Sequence, residues 1–256
     1  MTPRIPILRI GLAFDDGILS GTRLETSLRG LHLLLFPELV DGGYAALARN
    51  AGCHVRNDAF LQRFSDASER YSLCCVAGSV CLRDGASART NTSYAFTRGR
   101  MVHRFDKIHL FGPAGDTRYF RPGRTIRTFS IPHDSGRIRA GVIICYDLRF
   151  PELVRRMSGR GIKLLLVPAR WPRVRDDAWY TLLKARAIEN QIFVVGCNAL
   201  GKEGGYSYVF GPGGRLLYSN KRAYNRLFHE CVLDLRELDS VRMLHNNIRD
   251  AVLLKK

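Results

Sequence analysis

Short apolar runs alternate with amphipathic stretches along the whole chain, a pattern that predicts layered strands and helices. Apolar stretches at 7–13, 31–36, 72–82, 92–97, 101–105, 139–145, 163–167, 192–197, 205–210, 214–218 and 229–233 are read as strands. Helices are expected over 44–67, with an interruption near Gly52, and over 151–159 and 175–190. The last of these opens on Asp176 and Asp177, acidic residues that suit the positive end of a helix. Its Trp179, Leu182, Leu183 and Ala187 recur with helical spacing, as packing residues do. Turns are marked by Asp84-Gly85, Arg98-Gly99 and Pro212-Gly213-Gly214. No Pro/Gly/Ser-rich linker, low-complexity stretch or repeat divides the sequence, so one domain over 1–256 is expected.

One strand end carries chemistry. The run Gly141-Val142-Ile143-Ile144 ends at Cys145, and Tyr146-Asp147-Leu148-Arg149-Phe150-Pro151-Glu152 follows at once. Proline has a pre-set φ and needs no donor at the start of a helix, so the chain should turn from strand to helix around Pro151. A thiol at such an elbow stands near free helix N–H groups that favour negative charge. Taken alone, the segment fits a nucleophile and a buried core cysteine equally well.

Two further strand ends change that balance. Leu33-Leu34-Leu35-Phe36 runs into Pro37-Glu38, and Lys107 sits between apolar residues in Phe105-Asp106-Lys107-Ile108-His109-Leu110-Phe111. Glu, Lys and Cys together make a kit for amide hydrolysis, although Lys107 by itself reads as an ordinary strand-end lysine. In order along the chain stand "LLLFPEL", "DKIHLFG", "RYFRPG", "GVIICYDLRFPELVRR", "LLLVPARWP", "WYTLLKARAIENQIFVVGCNALG" and "YSYVFGPGGRLL". With these motifs, spanning roughly residues 8–235, the sequence resembles the nitrilase superfamily of carbon–nitrogen hydrolases. The resemblance implies an α/β fold, the four-layer α-β-β-α sandwich of that superfamily. It implies a homodimer or higher oligomer, paired through helices matching 151–159 and 175–190.

The resemblance also implies roles. Glu38 would be general base and then acid, Cys145 the nucleophile, and Lys107 an oxyanion donor beside the backbone N–H of Tyr146. A second glutamate usually precedes a motif like "RYFRPG"; here Asp116, one methylene shorter, is the candidate. A shortened carboxylate leaves open a catalytically impaired protein with a binding or scaffold role. Glu189, in "RAIENQ", reads as structural, spaced to pair with Arg186. The helix opens on Ala178-Trp179 rather than the usual His-Trp, and the segment before Glu38 is short enough that the first helix must be brief or absent.

Composition narrows the class without naming a substrate. With 256 residues and 46% hydrophobic content, a large core is available, and no apolar run approaches the roughly 18 residues that span a bilayer. The opening residues lack the apolar core and cleavage site of a secretory signal. Seven scattered cysteines show no metal-ligand spacing beside histidines, which predicts a reduced, cytoplasmic protein without a metal or other cofactor. The net charge of +17 comes from arginines dispersed among apolar segments with no nucleic-acid motif, which argues for a solvated surface over a nucleic-acid partner. Some of those near 118–127 or 170–175 could draw in an acidic substrate.

Within the superfamily, "CYDLRFPE", "ARWP" and "GCN" look most like the ω-amidase branch, which hydrolyses the terminal amide of small α-keto acid amides. A small carboxylated amide is therefore the expected partner, with Arg170 or Arg173 gripping its carboxylate and Tyr146, Trp171 and Tyr119 walling the pocket. Hydrolysis of N-carbamoyl or other amides by the same residues is the alternative.

Overall fold

A computed structural model describes residues 6–19, 25–48, 53–54, 58–84, 88–134 and 136–252. Strands β1 (Ile7–Ala13), β2 (Leu33–Leu35), β3 (Cys53–His54), β4 (Cys74–Val76), β5 (Val80–Asp84), β6 (Ala88–Thr97) and β7 (Arg100–Asp106) lie in one sheet. A second sheet holds β8 (Thr128–His133), β9 (Gly136–Val142), β10 (Leu164–Ala169), β11 (Phe193–Asn198), β12 (Tyr208–Phe210) and β13 (Leu216–Ser219). The chain then returns to the first sheet as β14 (Phe228–Asp234), antiparallel to β1. The described α-helices are α1 (Glu25–Leu28), α2 (Gly43–Ala48), α3 (Ala59–Arg70), α4 (Asp116–Tyr119), α5 (Pro151–Gly159), α6 (Asp176–Asn190), α7 (Arg236–Leu244) and α8 (Asn247–Asp250), with short 3-10 turns between elements.

Three apolar layers follow from alternation along the strands. Leu8, Ile10, Leu12, Leu33, Leu35 and Cys74 face Ile131, Val142, Leu166 and Val195 across the gap between the sheets. Their neighbours point the other way: Leu34, Phe36, Cys75, Tyr94 and Phe96 pack under Leu61 and Phe64 of α3. Leu165, Val167 and Val194 pack under Leu153, Val154, Trp179 and Leu183 of α5 and α6. A sheet buried on both faces reads as a continuous apolar run, and helices must then cover it outside. The result is the expected four-layer α-β-β-α sandwich.

Local details depart from the sequence reading. The run 72–82 is not one strand but β4 and β5, because the chain bends at Gly78 (φ 58°). A Cβ there would meet the Pro37 carbonyl oxygen at 1.9 Å, so only glycine lets this bend press against the segment that carries Glu38. The region 44–67 is interrupted as expected, into α2 and α3, but the short strand β3 between them was not expected; Gly52 lies outside the described residues, as does Gly85. Strand β8 was not expected: Thr128-Phe129-Ser130-Ile131 alternates polar and apolar, but Pro132 follows, which an edge strand tolerates. The first helix is indeed brief, four residues in α1. Arg186 and Glu189 pair at 3.0 Å on α6. Among the described residues no helix is long and apolar enough to cross a membrane.

Candidate active site

Glu38, Lys107 and Cys145 each follow the C-terminal end of a strand, β2, β7 and β9 respectively, and the two sheets bring those ends together. Glu38 is fully buried, and every contact it makes restrains it. One carboxylate oxygen accepts hydrogen bonds from Lys107 Nζ (2.8 Å) and Asn91 Nδ2 (2.9 Å); the other accepts from the backbone N–H of Arg170 (2.9 Å). Cys145 Sγ lies 3.8 Å from the carbonyl oxygen of that same Arg170, so thiol and carboxylate converge on the backbone of one residue.

Cys145 itself has φ 47°, in the left-handed region that a residue with a Cβ enters at a cost of about 1–3 kcal/mol. It begins a short 3-10 turn, Cys145–Arg149, which leads into α5 at Pro151. Asp147, fully buried, holds this elbow: its carboxylate accepts from Ile144 N (3.1 Å), from His109 N (2.8 Å) and from the His109 ring (Nδ1, 2.8 Å). The His109 ring stacks on Phe150 with centroids 3.5 Å apart. Thus the residue two after Lys107 is tied to the residue two after Cys145, which sets lysine and thiol in register.

Lys107 bridges two carboxylates. Its Nζ donates to Glu38 at 2.8 Å and to Asp116 at 2.7 Å, all three side chains being fully buried. Burial would lower the pKa of the ammonium, but Glu38 and Asp116 outweigh it and hold the group charged. Asp116, the first residue of α4, also accepts from Phe111 N (2.9 Å) and from the Tyr44 hydroxyl (2.7 Å). The Cys145 thiol behaves oppositely: burial, then the neighbouring Glu38 carboxylate, push its pKa well up, so it rests protonated beside a base. A protonated thiol, a buried carboxylate and a fixed ammonium in one cluster can pass a proton and stabilise an oxyanion.

With this geometry in hand, comparison with known proteins is informative. Residues 24–227 match the carbon–nitrogen hydrolase family. The chain belongs to that family. It is 30% identical over 224 residues to a 2-oxoglutaramate amidase of Bacillus subtilis, covering 86% of this chain and 84% of the relative. It is 38% identical over 198 residues to a 2-oxoglutaramate amidase of Paenarthrobacter nicotinovorans, covering 72% and 67%. A crystal structure of a CN-hydrolase superfamily protein from Xanthomonas campestris, with an arsenic adduct in its active site, superposes with a TM-score of 0.81 at 25% identity, covering 96% and 97% of the two chains. The protein is a carbon–nitrogen hydrolase of the nitrilase superfamily, similar to its ω-amidase branch.

In this hydrolase a narrow cleft opens over Cys145. Tyr146, Trp171 and Arg170 line it, together with Phe111, Arg149 and Arg175. The Arg170 guanidinium is already engaged, donating to the carbonyls of Glu38 (2.8 Å) and Leu39 (2.8 Å) and pairing with Glu203 (3.1 Å). Arg173 does not line the cleft, because its guanidinium stacks on Tyr224 (3.9 Å) and Tyr206 (4.9 Å). Tyr119 does not line it either; it packs with Leu39, Leu47 and Phe120. The arginines facing the cleft are instead Arg149, over Trp171 at 4.9 Å, and Arg175, over Phe111 at 5.0 Å.

Sequence reasoning also missed Tyr44, Asn91, His109 and Asp147. His109 and Asp147 lie within the quoted motifs, so their polarity amid apolar neighbours was a usable signal. Tyr44 and Asn91 carried none, since only the fold brings them to the cluster. Tyr44→Phe removes one hydrogen bond to a charged group while leaving the ring in place. We expect kcat to fall about tenfold with KM changed less than about twofold, the cost of one such bond; steady-state kinetics beside a melting curve checks it.

Proposed function

We propose that this carbon–nitrogen hydrolase is a thiol amidohydrolase in which Glu38, Lys107 and Cys145 carry the reaction and Asp116 braces the lysine. Glu38 takes the thiol proton as the sulfur attacks the amide carbon. Charge developing on the carbonyl oxygen is met by Lys107 Nζ and the backbone N–H of Tyr146. Glu38 returns its proton to the departing nitrogen, releasing ammonia or an amine and leaving a thioester on Cys145. Water, deprotonated by Glu38, then hydrolyses the thioester and frees the acid. The observation that carries the reading is the convergence of thiol and carboxylate on the backbone of Arg170, at its carbonyl and its N–H, with Lys107 donating to that carboxylate. The Asp116–Lys107 contact at 2.7 Å supports a competent enzyme over an impaired binding protein, since the shorter side chain still reaches.

For the substrate we take a small amide with a carboxylate at its far end. The named relatives are 2-oxoglutaramate amidases, and Arg149 and Arg175 face the cleft beside Cys145. The narrowness of the cleft favours a small molecule. Ammonia release measured on a carboxylated amide and an uncharged amide of equal length tests this. Arg149→Ala should raise KM for the carboxylated amide on the order of tenfold to a hundredfold, with little change for the uncharged one. Equal effects on both would remove the carboxylate from the proposal.

A cytoplasmic homodimer is part of the same reading. Cys74, Cys75, Cys145, Cys197 and Cys231 are free thiols, as a reducing compartment would keep them; Cys81, which is disulfide-bonded, is the exception. Ile188 on α6 and Met243 and Leu244 at the end of α7 stay exposed, which suits pairing through the α5–α6 layer.

A further inference from the structure

The arginines that the reaction does not use gather at a second site. Strand β7 pairs only with β6, and the register sets Arg104 opposite Tyr94 and Met101 opposite Phe96, so these residues share the face that α3 covers. Across the end of β7 runs the segment 121–127. It is held there by Gly123, whose N–H donates to the Lys107 carbonyl at 2.7 Å. A Cβ on Gly123 would meet the Asp106 carbonyl oxygen at 2.1 Å, so the approach needs glycine.

Arg121, Arg124 and Arg127 recur every third residue along this segment and, with Arg104, border a groove of about 460 Å³. Asp106 is the one carboxylate among its lining residues, and it already accepts from Thr92 (2.7 Å) and Arg104 (3.1 Å). Arg124 and Arg127 have no carboxylate partner among the described residues. Beside the groove, burial and the charge of Arg127 push the His103 imidazole down to about 4, so no proton there adds to the field. Met101 also lines a smaller pocket of about 130 Å³, whose walls mix Leu61, Tyr94 and Phe96 with Gln62 and Ser65. A cationic trough beside a pocket of rings and polar groups selects a ligand with several negative oxygens at one end and a ring with polar edges at the other.

We propose that this groove binds a phosphate-bearing small molecule with an apolar or ring-containing end, a nucleoside di- or triphosphate being the chemical class that fits. The phosphates lie against Arg124 and Arg127, with Arg104 and Arg121 adding to the positive field, and the organic end passes over Met101. The proposal is independent of the amide reaction, whose cleft lies over Cys145 and shares no lining residue with the groove.

Calorimetric titration of the full chain with ATP, with inorganic tripolyphosphate and with a single-stranded oligoribonucleotide tests it. Wild type should bind ATP and tripolyphosphate at one saturable site, more weakly at about 0.3 M salt. The double variant Arg124→Ser, Arg127→Ser should weaken both by about tenfold or more, as loss of two charge-assisted contacts requires. Met101→Glu should weaken ATP more than tripolyphosphate. Both arginines are exposed, and an unchanged melting curve confirms the fold; should the pair melt early, Arg124→Gln alone must still weaken binding. Equal ATP affinity in wild type and variant would overturn the proposal. So would ATP binding that is lost in Arg149→Ala instead, or binding of the oligoribonucleotide alone, which would make the face a nucleic-acid surface.

Discussion

Cys145→Ala lowers amide hydrolysis by a factor on the order of 10⁵ or more and prevents any thioester from forming, while the melting temperature stays close to that of wild type. The size follows from losing the bond-forming atom, which in nucleophilic enzymes leaves only binding and oxyanion stabilisation to act. The fold is spared because the variant loses only one sulfur from the wall of the cleft, and the thiol's contacts to the Arg170 carbonyl and Glu38 are sulfur hydrogen bonds, weaker than those of oxygen or nitrogen. Intact-mass measurement after mixing with substrate separates this from a slow general effect: wild type shows a transient adduct and the variant none. Glu38→Gln provides the complementary result. It keeps a thiol that can be alkylated, but loses proton transfer in both half-reactions, a fall on the order of 10²–10⁴. Turnover that survives in Cys145→Ala would end the proposed mechanism and turn attention to a binding role.

Lys107→Met has a different signature, because it strikes activity and stability together. The ammonium is fully buried between two carboxylates that are themselves fully buried. Methionine fills nearly the same volume but leaves Glu38 and Asp116 facing one another without a counter-charge. Breaking a buried ion pair by removing one partner costs about 3–5 kcal/mol, equivalent to roughly 10 °C in melting temperature for a chain of this size. The oxyanion donor goes as well, which costs on the order of 10²–10³ in kcat. Lys107→Arg should not rescue, since a planar guanidinium does not fit a fully buried site shaped to a single ammonium. Adding Asp116→Asn to Lys107→Met should restore part of the lost stability by removing one of the stranded charges, with no return of activity. Thermal melting of the single and double variants reads this directly. An unaltered melting temperature in Lys107→Met would mean that the cluster is far better hydrated than its burial indicates.

The strands and helices were legible because their physics is periodic and local, while their arrangement as a four-layer sandwich came with the family resemblance. Strands β10 and β11 are buried on both faces, so they are written as near-continuous apolar text, and Pro151 marks the start of α5 in the residue itself. Glu38, Lys107 and Cys145 stand at strand ends in the sequence, but the family motifs rather than their positions singled them out, since Lys107 alone reads as an ordinary strand-end lysine. What the sequence could not carry were relations between distant segments. The bend at Gly78 that splits 72–82 exists because a carbonyl of the Glu38 segment lies against it, a contact 40 residues away for the neighbouring Ser79–Leu39 bond. Tyr44 reaches Asp116 across 72 positions, and Asn91 reaches Glu38 across 53.

The arginines show the same division most sharply. Their number and charge are fixed by composition, and that alone determined a strongly basic enzyme surface. Which guanidinium is free to meet a ligand depends on what already occupies it. Arg170 is held by two backbone carbonyls and Glu203, Arg173 is stacked between tyrosines, and Arg149 and Arg175 remain facing the cleft. A hydrogen-bond donor can be counted from sequence, but its partner is chosen by three-dimensional packing, so the sequence determined the elements of the fold and the candidate reacting groups while only the tertiary structure decided which arginines face the cleft.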